Sequence, residues 1–364
     1  VMNINDYGWD EYFEKEWKKI VASGMYKGQV EGMACCSLIQ PGRIIADYGQ
    51  MLRVITGTGE FLVNRPLNWL EDGTLLAVGD WVGLEHSDEA QSAHIHFVLN
   101  RKTKFSRTAA GIEVKEQIVA ANVDTVFLIQ SLNRDFNIRR LERYLIAAWE
   151  SGAVPVIVLT KTDCCDNVAD WVNAACAVCP GVKVHSISCV TGEGIEEIRK
   201  YFAQGKTVAL LGSSGVGKST LVNTLAGSEL LKTQEIREDD SRGRHTTTRR
   251  ELLLLPGGGL VLDTPGMRAL SLWEADAGME VMFGDVEELV KLCRFHDCSH
   301  QREPGCAVRE ALKTGKLEMK RWESWLKLQK ELAHIEAKKE GKLRLQEKQW
   351  GKQIAKYKRQ LGNH

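Results

Sequence analysis

The sequence predicts a multidomain chain: a small β-barrel of OB type, then an α/β domain with a doubly wound parallel sheet, then a mostly α domain around a cysteine–histidine loop. Three observations predict it. Short β-prone runs punctuated by glycine fill residues 28–115 without helical periodicity. Apolar strands and amphipathic helices then alternate over residues 116–275. Within the remaining residues 276–364, three cysteines and a histidine crowd into a short loop. A helical extension, residues 1–27, precedes the barrel.

Length and composition bound the reading. A chain of 364 residues with 43% hydrophobic content suits two or three globular domains. The formal net charge is zero, yet Arg309–His364 holds 16 Lys/Arg against 7 Glu, so the tail is basic and the rest acidic. Such a tail points to a polyanion. No apolar run approaches the roughly 18 residues of a membrane span, so no membrane partner is expected. Asn5–Asp6–Tyr7–Gly8–Trp9–Asp10–Glu11 lacks the pattern of a signal peptide. Ten cysteines, including the adjacent pairs Cys35–Cys36 and Cys164–Cys165, do not resemble a disulfide scaffold, and a cytoplasmic location is expected.

Trp9, Tyr12, Phe13, Trp17, Ile20 and Val21 recur at helical spacing. The barrel strands are expected at Gln29–Met33, Arg43–Tyr48, Met51–Ile55, Glu60–Val63 and Trp81–Leu84. The basic stretch Arg101–Arg107 reads either as a solvated linker or as a phosphate-contacting strip with Phe105 available to stack on a base. In the next domain, strands at Val123–Gln130, Val154–Leu159, Val182–Ile187 and Thr207–Leu211 alternate with helices. Pro256–Gly257–Gly258–Gly259 reads as a hairpin turn between two more strands.

Each motif falls at the carboxyl end of a strand, where such sheets bind ligands. Gly212–Ser213–Ser214–Gly215–Val216–Gly217–Lys218–Ser219 is a complete G-x-x-x-x-G-K-S/T phosphate loop, followed by Thr220 in a helix. Its glycines let backbone N–H groups turn inward around phosphates, and the helix start adds positive potential. Lys218 reaches the β- and γ-phosphates, and the Ser219 hydroxyl ligates Mg²⁺. Asp263–Thr264–Pro265–Gly266 is a D-x-x-G whose Asp263 can hold Mg²⁺ through water, with the Gly266 amide at a γ-phosphate. Among Thr246–Thr247–Thr248, one hydroxyl, assigned to Thr247, can complete the magnesium shell. Thr160–Lys161–Thr162–Asp163 selects the base. The Asp163 carboxylate accepts from guanine N1–H and the 2-amino group, a donor pair adenine lacks. Lys161 lays its stem along the base, and Ser186–Ile187–Ser188 supplies amides to the guanine oxygen.

Cys293, Cys298, a histidine and Cys306 form a tetrahedral structural zinc set with no position open for catalysis. On composition alone His296 and His300 compete for the fourth place. The other seven cysteines are expected to be packing residues. Trp322 and Trp325 are expected to pack on the zinc loop rather than to stack on RNA.

Here the guanine motif precedes the phosphate loop, the reverse of the common order. With Gly243–Arg244–His245–Thr246–Thr247–Thr248 and the cysteine loop, this order resembles the RsgA (YjeQ/YloQ) family of circularly permuted, small ribosomal subunit biogenesis GTPases. The resemblance runs from about residue 28 to about 330. It implies an OB domain, a circularly permuted GTPase domain and a zinc domain acting on the 30S subunit and its 16S rRNA. The spacing of the family's zinc motif favours His300. The family's Asn-Lys-x-Asp departs to Thr160–Lys161–Thr162–Asp163, which is expected to weaken guanine affinity and keep selectivity.

The expected activity is hydrolysis of GTP to GDP and phosphate by a monomer holding one zinc and using Mg²⁺. Met267 stands where many GTPases place a water-orienting glutamine, which leaves His245 as the nearest polar candidate and predicts slow hydrolysis stimulated by 30S. The rival reading is a non-enzymatic RNA-binding module with nucleotide as a structural or regulatory ligand. A phosphate-loop ATPase or kinase is opposed by Asp163.

Overall fold

The structure, a computed structural model, describes residues 2–23, 39–66, 75–87, 92–108, 116–133, 135–178, 181–231, 250–263 and 275–337. The strand expected at Gln29–Met33, the threonine-rich stretch with His245, and Gly266 all lie outside these residues. The chain divides into two compact units, Val1–Ser106 with Ile118–Leu270, and Arg107–Gln117 with Ser271–His364.

In the first unit, helix α1 (Glu11–Ser23) starts where the Asp10 carboxylate accepts from the Tyr12 and Phe13 amides. Its aromatic stripe packs on the barrel: Trp9 meets the buried Trp81 edge-on at 4.9 Å between ring centroids, and Trp17 meets Phe97 at 5.4 Å. The barrel strands are β1 (Gln40–Asp47), β2 (Met51–Thr56), β3 (Glu60–Asn64), β4 (Trp81–Ser87) and β5 (Ser92–Val98). They pair antiparallel as β3–β2–β1–β4–β5. The outer strands β3 and β5 come into contact, and the Phe61 ring lies 4.3 Å from His86, so the five strands curl round on themselves. β5 went unrecognised in the sequence because Ser92–Val98 carries two histidines among its apolar residues.

Strand β6 (Lys104–Thr108) pairs with β7 (Glu116–Ala121) as a separate two-stranded sheet. This overturns the stacking role expected of Phe105 and the linker reading at Arg101. Phe105 is only 1% exposed, so it is a core residue and not a stacking platform. Arg101 is no linker residue either: it grips the buried Asp80 through Nε at 2.6 Å and Nη2 at 2.8 Å.

The α/β region continues with β8 (Thr125–Ser131), α2 (Ile138–Ser151), β9 (Val154–Thr160), α3 (Val168–Val178), β10 (Lys183–Ile187), α4 (Ile195–Arg199), β11 (Thr207–Leu211), α5 (Lys218–Ala226), β12 (Arg250–Leu254) and β13 (Leu260–Asp263). The runs of Val, Ile and Leu in β8, β9 and β11 are buried almost throughout, as central parallel strands require. Sheet order is β10–β9–β8–β11–β13–β12, then straight on to β1–β2–β3. The first five strands are parallel, but β12 runs antiparallel to β13 across the predicted glycine turn. The expected parallel sheet is therefore mixed. It also does not stop at the barrel: β1 pairs with β12 at Ala46↔Glu251 and Asp47↔Arg250. Phe127, Val158, Ile187, Leu210, Leu221 and Val261 lie in one core between sheet and helices.

In the second unit, α6 (Asp276–Lys291) is kinked at Phe283 and is followed by the cysteine loop, α7 (Ala307–Thr314) and a helix α8 over residues 319–337. Met279, Phe283, Val286, Val308 and Trp322 are buried, and Arg321 clamps the Asp285 carboxylate over the Phe283 ring. Among the described residues no helix is long and apolar enough to cross a membrane.

Candidate nucleotide site and metal centre

The loops that follow β9, β10 and β11 form one candidate site. After β11 the chain turns through Gly212–Gly217 with Gly215 and Gly217 at positive φ (76° and 96°), and Gly217 opens α5. A side chain at Gly212 would sit 2.6 Å from the Ile129 carbonyl of β8, so the loop needs glycine to lie this close to the sheet. Val216 is driven into the core beneath the loop, which fixes its path. Lys218 curls over it, donating to the carbonyls of Gly212 (2.7 Å) and Ser213. The Ser213 hydroxyl donates to Asp135 at 3.0 Å; Asp135, held by Arg140, was not singled out in the sequence because it belongs to no motif. Ser214 is exposed at the loop's tip, and Ser219 and Thr220 lie in the first turn of α5.

Thr160 ends β9, and its buried hydroxyl donates to the Val216 carbonyl at 2.6 Å. That bond joins the T-K-x-D segment directly to the phosphate loop. Lys161 follows in the left-handed region (φ 62°), and Thr162–Cys164 make a 3-10 turn that leaves the Asp163 carboxylate exposed. Ser188, buried just past β10, donates its hydroxyl to Asp163 Oδ1 at 2.6 Å, while the Cys164 thiol lies 3.3 Å from Oδ2. Ser188 first and Cys164 second hold the Asp163 carboxyl below the usual carboxylate range. The expected contribution of Ser186–Ser188 was backbone amides; a hydroxyl aiming the carboxylate is an addition that only the fold reveals. Ser186, within β10, is half-buried. Asp263 ends β13, beside the strand that leads into the phosphate loop. Cys164 and Cys176 are exposed, so they are not the packing residues expected; each lies on the solvent side of its turn or helix.

In the second unit the donor atoms of Cys293, Cys298, His300 and Cys306 all lie within 4.8 Å of one another. A tetrahedral centre with metal–sulfur bonds of about 2.3 Å and metal–nitrogen bonds of about 2.0 Å needs sulfurs about 3.8 Å apart and sulfur about 3.5 Å from nitrogen. Here Cys293 and Cys306 sulfurs are 3.9 Å apart, and each is 3.5 Å from His300 Nδ1. The residues fit a tetrahedral metal ion. His296 is exposed and outside the cluster, whereas His300 is part of it. Burial raises the Cys293 thiol, but hydrogen bonds from the Val308 and Ala307 amides at the start of α7, with those of Cys306 and Cys298, together bring it below its ordinary value. Desolvation, opposed by the His300 amide and joined by hydrogen bonds with Cys306 and Cys293, pushes Cys298 up to about 11. The Trp322 ring meets His300 edge-on at 5.2 Å, packing on the loop as expected, and Trp325 stacks on Trp322 at 5.0 Å behind it.

A guanine-type motif on β9, placed earlier in the chain than the phosphate loop on β11 yet bonded to it, defines a circularly permuted phosphate-loop domain. A family model described as RsgA GTPase matches residues 98–273. The small ribosomal subunit biogenesis GTPase RsgA 1 of Listeria innocua serovar 6a is 45% identical over 98% of this chain and 96% of its own. The corresponding protein of Oceanobacillus iheyensis is 41% identical over 97% of this chain and 98% of its own. The crystal structure of YjeQ from Thermotoga maritima matches with a TM-score of 0.60 at 28% identity, covering 81% of this chain and 99% of that one. YloQ, described as a circularly permuted GTPase, shares the fold with a TM-score of 0.56, covering 82% of this chain and 96% of that one. The chain belongs to the RsgA GTPase family.

Proposed function

We propose that the protein hydrolyses GTP as a timer of late 30S subunit maturation. Membership of the family makes it a GTP-hydrolysing enzyme of ribosome biogenesis. The observation that carries the site assignment is the Thr160–Val216 hydrogen bond, since it holds the base-selecting segment against the loop that binds phosphates. Amides of Gly212–Ser219 cradle the phosphates, and Lys218 turns from the loop carbonyls to the β- and γ-phosphates. Asp163, aimed by Ser188, accepts from guanine, with Lys161 along the base and Thr162 and Ser186 shaping the pocket. Ser219, Thr247 and Asp263 would hold magnesium, a hard-oxygen set suited to an ion that neutralises phosphate charge. His245 orients the attacking water, and Gly266 senses the γ-phosphate.

One structural zinc per chain fits three thiolates and an imidazole better than any hard cation. The strand order β3–β2–β1–β4–β5 with β3 meeting β5 supports an OB-type barrel for residues 28–115, followed by a GTPase domain over 116–275 and a zinc domain over 276–364. The partners are 30S and its 16S rRNA, met by a monomer in the cytoplasm, with GTP holding the binding-competent state and GDP releasing it.

Phosphate release measured with purified 30S, 50S and 70S particles tests this reading. The expected result is stimulation by 30S above the other two. Equal rates in all three would remove the assignment of the partner, and no turnover in any would leave nucleotide as a bound ligand only.

A further inference from the structure

A cavity of about 390 Å³ lies within the first unit, at the amino ends of β8 and β11. The phosphate loop follows the opposite end of β11, five residues and so roughly 16 Å away. We infer that this cavity binds a small oxyanion, a phosphate or a carboxylate, at a site separate from the nucleotide. Arg43, Lys102 and Lys206 line it with Asp10 and Asp124, which leaves one positive charge in excess.

Arg43 is the most deeply buried of the three cations. It is 1% exposed, and its Nε, Nη1 and Nη2 donate to the main-chain carbonyls of Gly79, Tyr7 and Asn122. No carboxylate pairs with it among the described residues, and two of its five N–H groups remain uncommitted. A buried cation without an anion is costly, and desolvation pushes this guanidinium down to about 10 even with Asp124, Asp80 and Asp10 in range. The two lysines are each held by one carboxylate, Lys102 by Asp10 and Lys206 by Asp124 at 2.9 Å, and an ammonium has donors to spare beyond one bond. At the cavity wall the Thr207 hydroxyl is buried with no hydrogen-bond partner, while its amide bonds Asp124. A buried hydroxyl in that state wants a polar ligand. An oxyanion in the cavity answers the excess positive charge of the guanidinium and the two ammoniums, with the Thr207 hydroxyl in the wall beside it. The volume exceeds that of phosphate alone and leaves room for a small organic body.

The test uses the full chain saturated with magnesium and GDP, so that the phosphate loop is filled. Titration calorimetry with inorganic phosphate, acetate and ribose 5-phosphate reads the site and separates the two anion classes and free from esterified phosphate. Saturable one-to-one binding of at least one probe is expected, weakened roughly tenfold by Lys206→Met and measurably by Thr207→Val, with GDP affinity unchanged. Arg43→Gln should abolish it; if that variant does not fold, the other two decide. Absence of saturable binding to the GDP-loaded chain, or equal binding in Lys206→Met and Thr207→Val, overturns the inference and leaves a water-filled cavity.

Discussion

Replacing Thr160 by valine isolates the bond on which the nucleotide site turns. The substitution keeps the volume and the β-branch of a residue that is buried at the end of β9, and it removes one hydroxyl. That hydroxyl donates 2.6 Å to the Val216 carbonyl, whose side chain is itself fixed in the core. Losing the donor to a buried carbonyl costs about 1–3 kcal/mol. The bond joins two segments proposed to bind opposite ends of one nucleotide, so the cost falls on GDP affinity, on stability, or on both. If it falls entirely on affinity, Kd rises about 5- to 150-fold. Fluorescent GDP titration and thermal unfolding, run on the same preparations, partition it. Thr160→Ser should stay close to wild type because it retains the donor. Unchanged affinity and unchanged melting temperature in Thr160→Val would refute the idea that this hydroxyl couples base recognition to the phosphate loop.

Three further outcomes are expected. Ser188→Ala removes the largest cause of the lowered Asp163 pKa, so the carboxyl should titrate at higher pH; because guanine binding needs the ionised form, it is complete above that pKa and lost as pH falls through it, and the acid limb of GDP affinity should move up, as carboxyl NMR and GDP titration would record. Cys298→Ser should remove the metal and unfold the second unit, with metal content and helical circular dichroism falling together and GDP affinity of the first unit retained. Gly79→Ala puts a side chain at positive φ (97°) and only 2.0 Å from the Ala121 carbonyl, so stability should fall by more than about 1 kcal/mol, read as a lower denaturant midpoint at unchanged slope.

What the sequence revealed depended on how local the cause was. Phosphate loop, cysteine loop and the buried strands β8, β9 and β11 were legible because each is specified by a few adjacent residues. The misread stretch Arg101–Arg107 shows the opposite case. Two of its cations, Arg101 and Lys102, are met by Asp80 and Asp10, and Phe105 is buried, all through partners that no spacing rule connects. The Ser188 hydroxyl was likewise invisible as a partner of Asp163, since 25 residues separate them and only the parallel pairing of β9 with β10 closes the gap.

A change of texture from glycine-punctuated strands to alternating strands and helices reads as a domain boundary, yet β1 of the barrel pairs with β12. β12 begins at Arg250, directly after the threonine-rich stretch, and returns through β13 to Asp263 of D-x-x-G. One antiparallel pair therefore links the two segments proposed to sense nucleotide to the barrel edge. Arg53 of β2 reaches across that edge to Glu251, and Asp47 lies between Arg65 and, at 4.0 Å, Arg250. Part-exposed pairs of this kind contribute about 0–1 kcal/mol each, too little to hold two domains together but enough to bias two arrangements of similar energy. A change in β12 on hydrolysis cannot leave β1 untouched without breaking the Ala46↔Glu251 and Asp47↔Arg250 pairing. The barrel is thus mechanically part of the nucleotide sheet, which is why its composition could mark it off in the sequence without separating it in the fold.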